Sequence, residues 1–363
     1  MYNEPKRKVR RPEAVKEMAH RRGNVRRKRS LMVRMFLLVC VTILQALMNP
    51  IASLVLIRMN GGTAMMRILG IVGVQVCICV PIIVFQFCKG KEFFSKEYWG
   101  YALRIGIPIV PHYLSGIILN QGDRIMIDKM VGKTEVALYG LAYSIGMLVQ
   151  LFISGMNSAL TPWMYSKIKK GDIRSMRKVL QLLSIVVVGI AVALMLISPE
   201  LVLIFGSPKY REAVYVIPPV AASVFFIFIY NILSMPQFYY EKTQFLMAAS
   251  MAAAGANVVL NFIFIRLFGY IAAGYTTLAC YMLYSVGHYI VSKRILVNEG
   301  IQENLMNPGF LLACSVFLIG ASIICNLIFP YRILRYAILL ASAGLVFWKK
   351  ELLLKTLADI RKK

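Results

Sequence analysis

Polar residues whose types and spacing could do chemistry cluster within residues 119–132, in the stretch LNQGDRIMIDKMVG. Asn120, Asp123 and Arg124 lie three and four positions apart, so an α-helix would place them on one face. Arg124 and Asp128 are one helical turn apart and could form an ion pair. Because carboxylates and a guanidinium in this arrangement can bind ions or orient one another, this stretch is the first candidate for a functional site.

Further polar residues flank this stretch at helical spacings. Arg104 and His112 precede it in the same apolar segment. Gln150 and Asn157 follow it seven positions apart and would share a stripe on one helix, facing either a water-filled cavity or a neighbouring helix. The complete set of candidate site residues is therefore Arg104, His112, Asn120, Asp123, Arg124, Asp128, Gln150 and Asn157.

The elements that must position these residues are membrane-spanning helices. The chain has 363 residues, of which 59% are apolar, whereas soluble domains contain roughly 45–50%. The apolar residues form runs of the length of about 20 residues that a bilayer requires. The sequence thus predicts an all-α polytopic membrane protein with about ten spans, near residues 31–58, 63–88, 97–130, 134–168, 173–199, 211–240, 243–267, 270–296, 306–329 and 332–349.

The net charge of +26 agrees with this topology. Thirty of the 42 Lys and Arg residues fall in segments that a cytosolic N-terminus would place inside, and nine fall in the opposite loops. Cytosolic loops of membrane proteins carry such an excess of cations, so the basic balance favours a cytoplasmic-membrane protein with both termini in the cytosol over a nucleic-acid partner. The predicted cytosolic segments are 1–30, 89–100, 165–178, 241–243, 293–305 and 349–363.

Enzyme signatures are missing from the sequence. It contains no G-x-S-x-G, P-loop, H-E-x-x-H or paired C-x-x-C motif, and its three histidines are scattered. We therefore expect no catalytic residue, no metal site and no cofactor.

A charged residue at the bilayer centre costs roughly 2.5–3.5 kcal/mol, so Asp123 and Arg124 either mark the outer membrane edge or face water, a partner or a substrate.

Residues Ser95–Gly146 resemble polysaccharide biosynthesis proteins, which are lipid-linked oligosaccharide flippases of the multidrug/oligosaccharidyl-lipid/polysaccharide exporter superfamily. The likeness extends more loosely over residues 31–349. It is carried by G-I-P-x-x-P-H (Gly106–His112), D-R-I-M-I (Asp123–Ile127), V-G-K-T-E-V-A-L-Y (Val131–Tyr139) and N-S-A-L-T-P-W (Asn157–Trp163).

The resemblance implies two six-helix lobes that face each other across a central cavity. It places Tyr101 at the seventh family helix, so that the third to eighth spans form the second lobe and the first four family helices have no counterpart. The expected divisions are a basic cytosolic segment (1–30), a remnant of the first lobe (31–90), the second lobe (91–298), a C-terminal helix pair (299–349) and an amphipathic tail (350–363).

The resemblance also implies a function, which is movement of undecaprenyl-pyrophosphate-linked oligosaccharide across the cytoplasmic membrane. Arg104 and Arg124 would then face the anionic group, while Asp123 and Asp128 would hold these cations or couple transport to an ion or proton. Expected partners are the lipid-linked oligosaccharide, membrane lipids, and polysaccharide polymerase and glycosyltransferases. The alternatives are a cation-coupled multidrug exporter of the same superfamily, or an inactive or partner-dependent truncated half.

Overall fold

A computed structural model describes residues 36, 39–59, 64–90 and 94–348. These ranges are mostly helical, with short turns between the helices, and contain no β-strand. The basic segment 1–30 and the amphipathic tail 350–363 lie outside the described residues. The helices are α1 (Val39–Met59), α2 (Ala64–Gly90), α3 (Lys96–Met130), α4 (Lys133–Gly146), α5 (Leu148–Lys170), α6 (Ile173–Phe205), a 3-10 helix (Pro208–Val216), α7 (Ile217–Tyr239), α8 (Thr243–Phe268), α9 (Ala272–Asn298), α10 (Pro308–Ile328) and α11 (Arg332–Trp348).

The predicted all-α polytopic class is confirmed. Each of the ten predicted spans coincides with a helix, although the span at 134–168 is divided into α4 and α5 by a break at Met147. Among the described residues, eight helical segments are long and apolar enough to cross a membrane, with α4 and α5 taken together and the 3-10 helix joined to α7. The other two spans correspond to α11, which is 17 residues long, and α9, which is rich in polar and aromatic side chains.

The chain comprises two compact units, Met1–Trp99 and Gly100–Lys363. In the first unit, α1 and α2 approach closely where Gly70 meets Ser53. A Cβ atom at Gly70 would lie 2.7 Å from the Ser53 backbone, so only glycine fits there. The Ser53 hydroxyl donates to the Asn49 carbonyl of its own helix at 2.7 Å. Close contact between small residues, as between Gly70 and Ser53, is typical of helices that pair in membranes.

The core of the second unit is built around α7. All thirteen residues from Ile217 to Ile229 are buried, and the helix packs against α5, α6, α9 and α10. A helix that is apolar on every side is expected at the centre of a bundle. Its fit is tight at Gly146, where a Cβ atom would lie 2.7 Å from a methyl carbon of Val220.

Helix α3 is positioned by its turn into α4 and by a buried stripe. Gly132 forms the turn with φ 155°, which lies in the region that favours glycine. The stripe turned into the second unit consists of residues spaced four apart, Ser115, Leu119, Asp123 and Ile127. This arrangement places a carboxylate inside the bundle and folds α4 back beside it.

Candidate functional site

Asp123 is the centre of the candidate site. Its side chain is fully buried and accepts hydrogen bonds from three other helices. Oδ2 accepts from the Tyr139 hydroxyl of α4 at 2.5 Å and from the Thr277 hydroxyl of α9 at 2.7 Å. Oδ1 accepts from Asn261 Nδ2 of α8 at 2.5 Å. One carboxylate therefore holds four helices together, as a buried polar group requires.

The groups around Asp123 are neutral and rich in oxygen. Asn261 Nδ2 also lies 3.2 Å from Asn257 Oδ1, and the Thr276 hydroxyl donates to Asn261 Oδ1. Asn257 Nδ2 is buried and has no hydrogen-bond partner among the described residues. An ionised carboxylate is costly to bury without a neutralising partner, so this site suits either a proton on Asp123 or a monovalent cation among the side-chain oxygens.

A metal centre of the usual kind is not found in the described part of the chain. No group of three or more His, Cys, Asp or Glu residues lies close enough together there to hold a metal ion. Asp123 is the one acidic member of its cluster, and a single negative charge matches a singly charged cation or a proton.

A second polar level lies one helical turn from Asp123, around Asn120. Asn120 Oδ1 accepts from the Tyr143 hydroxyl of α4 at 2.7 Å and from the Tyr281 hydroxyl of α9 at 3.3 Å. Asn120 Nδ2 donates to the Gly116 carbonyl at 2.7 Å. Helices α3, α4 and α9 are thus joined at this level as well, again through uncharged groups.

A third level surrounds His112. Its Nδ1 lies 2.5 Å from the Ser250 hydroxyl of α8 and 3.0 Å from the Tyr284 hydroxyl of α9. Beyond it, His288 Nδ1 lies 2.8 Å from Gln237 Nε2, and both side chains are fully buried. We name the whole set the polar column, which consists of Asp123, Asn120 and His112 on α3 and Thr277, Tyr281, Tyr284 and His288 on α9.

Arg124 faces away from the polar column. Its Nη1 donates to Gln121 Oε1 at 2.6 Å, and its guanidinium lies 5.2 Å from the centre of the Tyr143 ring. The expected pairing with Asp123 or Asp128 is not found among the described residues. For Asp123 the reason is geometric, since consecutive helical residues point about 100° apart and Asp123 turns inward. Asp128 is exposed, and the Arg124 guanidinium binds Gln121 instead of it.

The remaining sequence-predicted residues lie outside the polar column. Arg104 is exposed on α3. Gln150 and Asn157 are half-buried on α5, and their amide oxygens have no partner among the described residues. Their role in a transport cavity, like that of Asp128, stays a prediction. Of the eight candidates, the structure brings together His112, Asn120 and Asp123, with Arg124 on the far side of Tyr143.

Sequence reasoning missed most partners of these residues. Asn257 and Asn261 are four positions apart on an otherwise apolar helix, and Thr277 and Tyr281 show the same spacing on α9. Polar pairs at this spacing share a helix face. That signal indicates two further polar faces inside the bundle, although it does not indicate which helix they meet.

Comparison with known families places this arrangement in a wider group. Residues 28–169 match the family described as polysaccharide biosynthesis protein, and residues 108–263 match the MatE family. Both matches contain Asp123 and its partner Tyr139. Through these two matches, residues 28–263 are similar to the multidrug/oligosaccharidyl-lipid/polysaccharide exporter superfamily. The sequence resemblance had predicted similarity to the same superfamily.

Two curated proteins of Haemophilus influenzae are similar to this chain. The Lsg locus protein 1 is 28% identical over 172 residues, which cover 44% of this chain and 41% of the relative. An uncharacterized membrane protein is 29% identical over 191 residues, which cover 49% of this chain and 46% of the relative. The chain thus spans a little under half the length of either relative. No solved structure matches it significantly.

Proposed function

We propose that this exporter moves an undecaprenyl-pyrophosphate-linked oligosaccharide across the cytoplasmic membrane for surface polysaccharide biosynthesis, and that Asp123 couples the movement to a cation or proton. The proposal is supported chiefly by one observation, the fully buried carboxylate of Asp123 that four helices share. The match to the polysaccharide biosynthesis family supports the choice of substrate.

The substrate poses a physical problem that Arg124 is suited to meet. A pyrophosphate and its sugars cannot enter hydrocarbon, so the protein must supply cations and hydrogen-bonding groups along the route. The Arg124 guanidinium is held against the Tyr143 ring, and its buried Nε has no hydrogen-bond partner among the described residues. A guanidinium forms paired hydrogen bonds with phosphate oxygens, which makes Arg124 the best-placed anion ligand, with Arg104 as the second.

Helix α4 connects the two kinds of site. Tyr139 binds the Asp123 carboxylate. Tyr143, one turn further along, binds Asn120 through its hydroxyl and packs its ring against Arg124. Neutralising Asp123 would weaken its hold on Tyr139, because a charged acceptor forms the stronger hydrogen bond. A shift of α4 would then move the Tyr143 ring against which Arg124 packs. This movement would link ion binding at Asp123 to substrate binding at Arg124.

A complementation experiment tests this function. A strain that lacks the gene is supplied with the wild-type chain, Asp123→Asn or Arg124→Gln, and surface polysaccharide and inner-leaflet lipid-linked oligosaccharide are measured. We expect the wild type to restore the polysaccharide and both variants to leave lipid-linked precursor behind. Glu299→Gln, which removes an exposed carboxylate, is the control. Normal export in the deletion strain would rule out the proposed function.

A second candidate is a cation-coupled multidrug exporter, and the MatE match at residues 108–263 favours it. It predicts that the same deletion strain becomes more sensitive to organic cations, while its surface polysaccharide is unchanged. A drug-susceptibility panel beside the polysaccharide assay distinguishes the two candidates.

A further inference from the structure

We propose that the polar column, with water bound at its His288 end, conducts protons between Asp123 and the α7–α8 turn, so that the coupling ion is a proton. This inference rests on the proposed coupling role of Asp123. It identifies the ion and the route by which that ion reaches a fully buried group.

The first observation is a continuous stripe of exchangeable groups on α9. Thr277, Tyr281, Tyr284, His288 and Ser292 follow one another at spacings of four, three, four and four residues, and all five are buried. Hydroxyl and imidazole groups both donate and accept hydrogen bonds, which is the property that a proton relay needs. At about 1.5 Å per residue the stripe is roughly 22 Å long.

The second observation is that the first three levels of the stripe meet α3. Thr277 contacts Asp123, Tyr281 contacts Asn120, and Tyr284 contacts His112, at 2.7, 3.3 and 3.0 Å. Neighbouring levels on α9 are separated by one helical turn. The Tyr284 and His288 rings lie 4.6 Å apart between centroids. A rotating hydroxyl or one water molecule is enough to connect successive levels.

The third observation is a set of polar atoms without hydrogen-bond partners at the His288 end of the column. His288 Nε2, Ser292 Oγ and Gln237 Oε1 are buried and have no hydrogen-bond partner among the described residues. Buried polar atoms nearly always have partners, and where protein does not supply them ordered water does. Gln237 lies two residues before the end of α7 at Tyr239, so water there is close to the turn at Tyr240–Lys242, which the charge pattern predicts to be cytosolic.

Aromatic side chains enclose the column. The Tyr230 ring stacks on Tyr284 at 4.4 Å and lies 5.8 Å from the His288 ring. Among the described residues, the other ionisable groups that face the column are Tyr139 and Tyr143 of α4, Tyr113 of α3 and Cys280 of α9, and Arg124 lies across the Tyr143 ring. No further charged group is found next to the column, so a proton entering it is not trapped by a fixed carboxylate before Asp123.

The transfer balances without any other reactant. Each hydroxyl or imidazole accepts a proton on one side and releases one on the other, and then returns to its starting state by rotation. No bond other than O–H and N–H bonds is made or broken, and nothing is oxidised or reduced. One proton is added to the Asp123 carboxylate and one is removed from the water at the turn.

Proton uptake into vesicles tests the proposal. The full chain is reconstituted in liposomes that contain a pH-sensitive dye, and a potassium diffusion potential drives protons inward in sodium-free buffer. We expect uptake by the wild type and a decrease of roughly tenfold or more for Tyr284→Phe and His288→Phe, since each removes a relay group. Tyr289→Phe is the matched control, because Tyr289 adjoins His288 in sequence but lines an apolar groove with Phe225 and Pro308.

Footprinting with hydroxyl radicals checks the bound water independently. Radicals formed from that water should label His288 faster than the equally buried Phe225. An unlabelled His288, sodium-dependent uptake, or wild-type rates in Tyr284→Phe and His288→Phe would each overturn the proton path. Absence of proton uptake by the wild type would also overturn the proton path. The proposed transport function is judged separately, and it would still be supported if Asp123→Asn lost export in the complementation experiment. Size-exclusion chromatography confirms that each variant is folded.

Discussion

The ring of Tyr143 separates a half-buried amide from a cation: its hydroxyl donates to Asn120 Oδ1 at 2.7 Å, and its face lies 5.2 Å from the Arg124 guanidinium. One side chain therefore contacts both the polar column and the proposed anion site. This double role allows the two functions of Tyr143 to be separated by substitution.

Substitutions of Tyr143 should separate the hydroxyl from the ring. Tyr143→Phe keeps the ring beside Arg124 and loses the bond to Asn120, whereas Tyr143→Leu loses both. A cation–π contact is worth about 0.5–2 kcal/mol, so we expect Tyr143→Leu to bind a pyrophosphate-bearing lipid severalfold more weakly than Tyr143→Phe. Equal affinities, measured by titration in detergent, would show that the ring does not position Arg124.

The contact between Gly146 and Val220 should be sensitive to a single methyl group. Gly146→Ala places a carbon 2.7 Å from Val220 Cγ1, and overpacking of this kind costs about 1–3 kcal/mol. We expect a lower thermal unfolding temperature in detergent. Gly155→Ala is the control, because no atom lies within 4 Å of the added carbon there; a larger loss in the control would contradict the packing argument.

The ion pair between Arg335 and Glu200 should anchor α11 to α6. Both Nη atoms of Arg335 lie 2.8 Å from Glu200 oxygens, and Nη1 also donates to the Leu196 carbonyl at 2.7 Å. Arg335→Met leaves these acceptors unpaired, at a cost of about 1–3 kcal/mol.

Thermal unfolding of Arg335→Met, Glu200→Gln and the double variant measures this coupling. We expect the double variant to be less destabilised than the sum of the two single changes. Arg332→Met, on the adjacent turn of α11, provides the control and should shift stability by less than about 0.5 kcal/mol. Strict additivity of the two single changes would show that the pair contributes no coupling energy.

Reporter fusions should locate the basic turn between α5 and α6. The excess of cations predicts that Lys170 faces the cytosol and Lys209 the opposite side. Alkaline phosphatase fused after Lys170 should be inactive, and after Lys209 active; fluorescent-protein fusions should give the reverse. An active phosphatase after Lys170 would invert the predicted topology.

The helices were predictable where charge and turn residues interrupt apolar runs. The third span was expected at 97–130 and α3 is Lys96–Met130, because Gly132 and flanking lysines end the run. The break at Met147 was not predicted, since the apolar run continues through it; Gly146, directly before the break, packs closely against Val220 of α7.

The candidate site was predictable in its α3 residues alone. The sequence singles out Asp123 and Asn120 by their polarity within an apolar segment. Their partners Asn261 and Thr277 lie 138 and 154 positions away, and no spacing rule connects such distant residues. The expected ion pairing of Arg124 is not found among the described residues, where its guanidinium contacts Gln121 and the Tyr143 ring instead.

The shared acceptor at Asp123 also constrains how the second unit can change shape. Sliding α3 along α8 and α9 by one turn would withdraw Asn261 and Thr277 from the carboxylate together and leave a poorly solvated charge in the bundle. While Asp123 is ionised, the four helices that bind it must therefore travel as a single rigid block. These helices can move relative to one another only after the charge on Asp123 is neutralised. Neutralisation of this carboxylate must therefore precede any rearrangement among them.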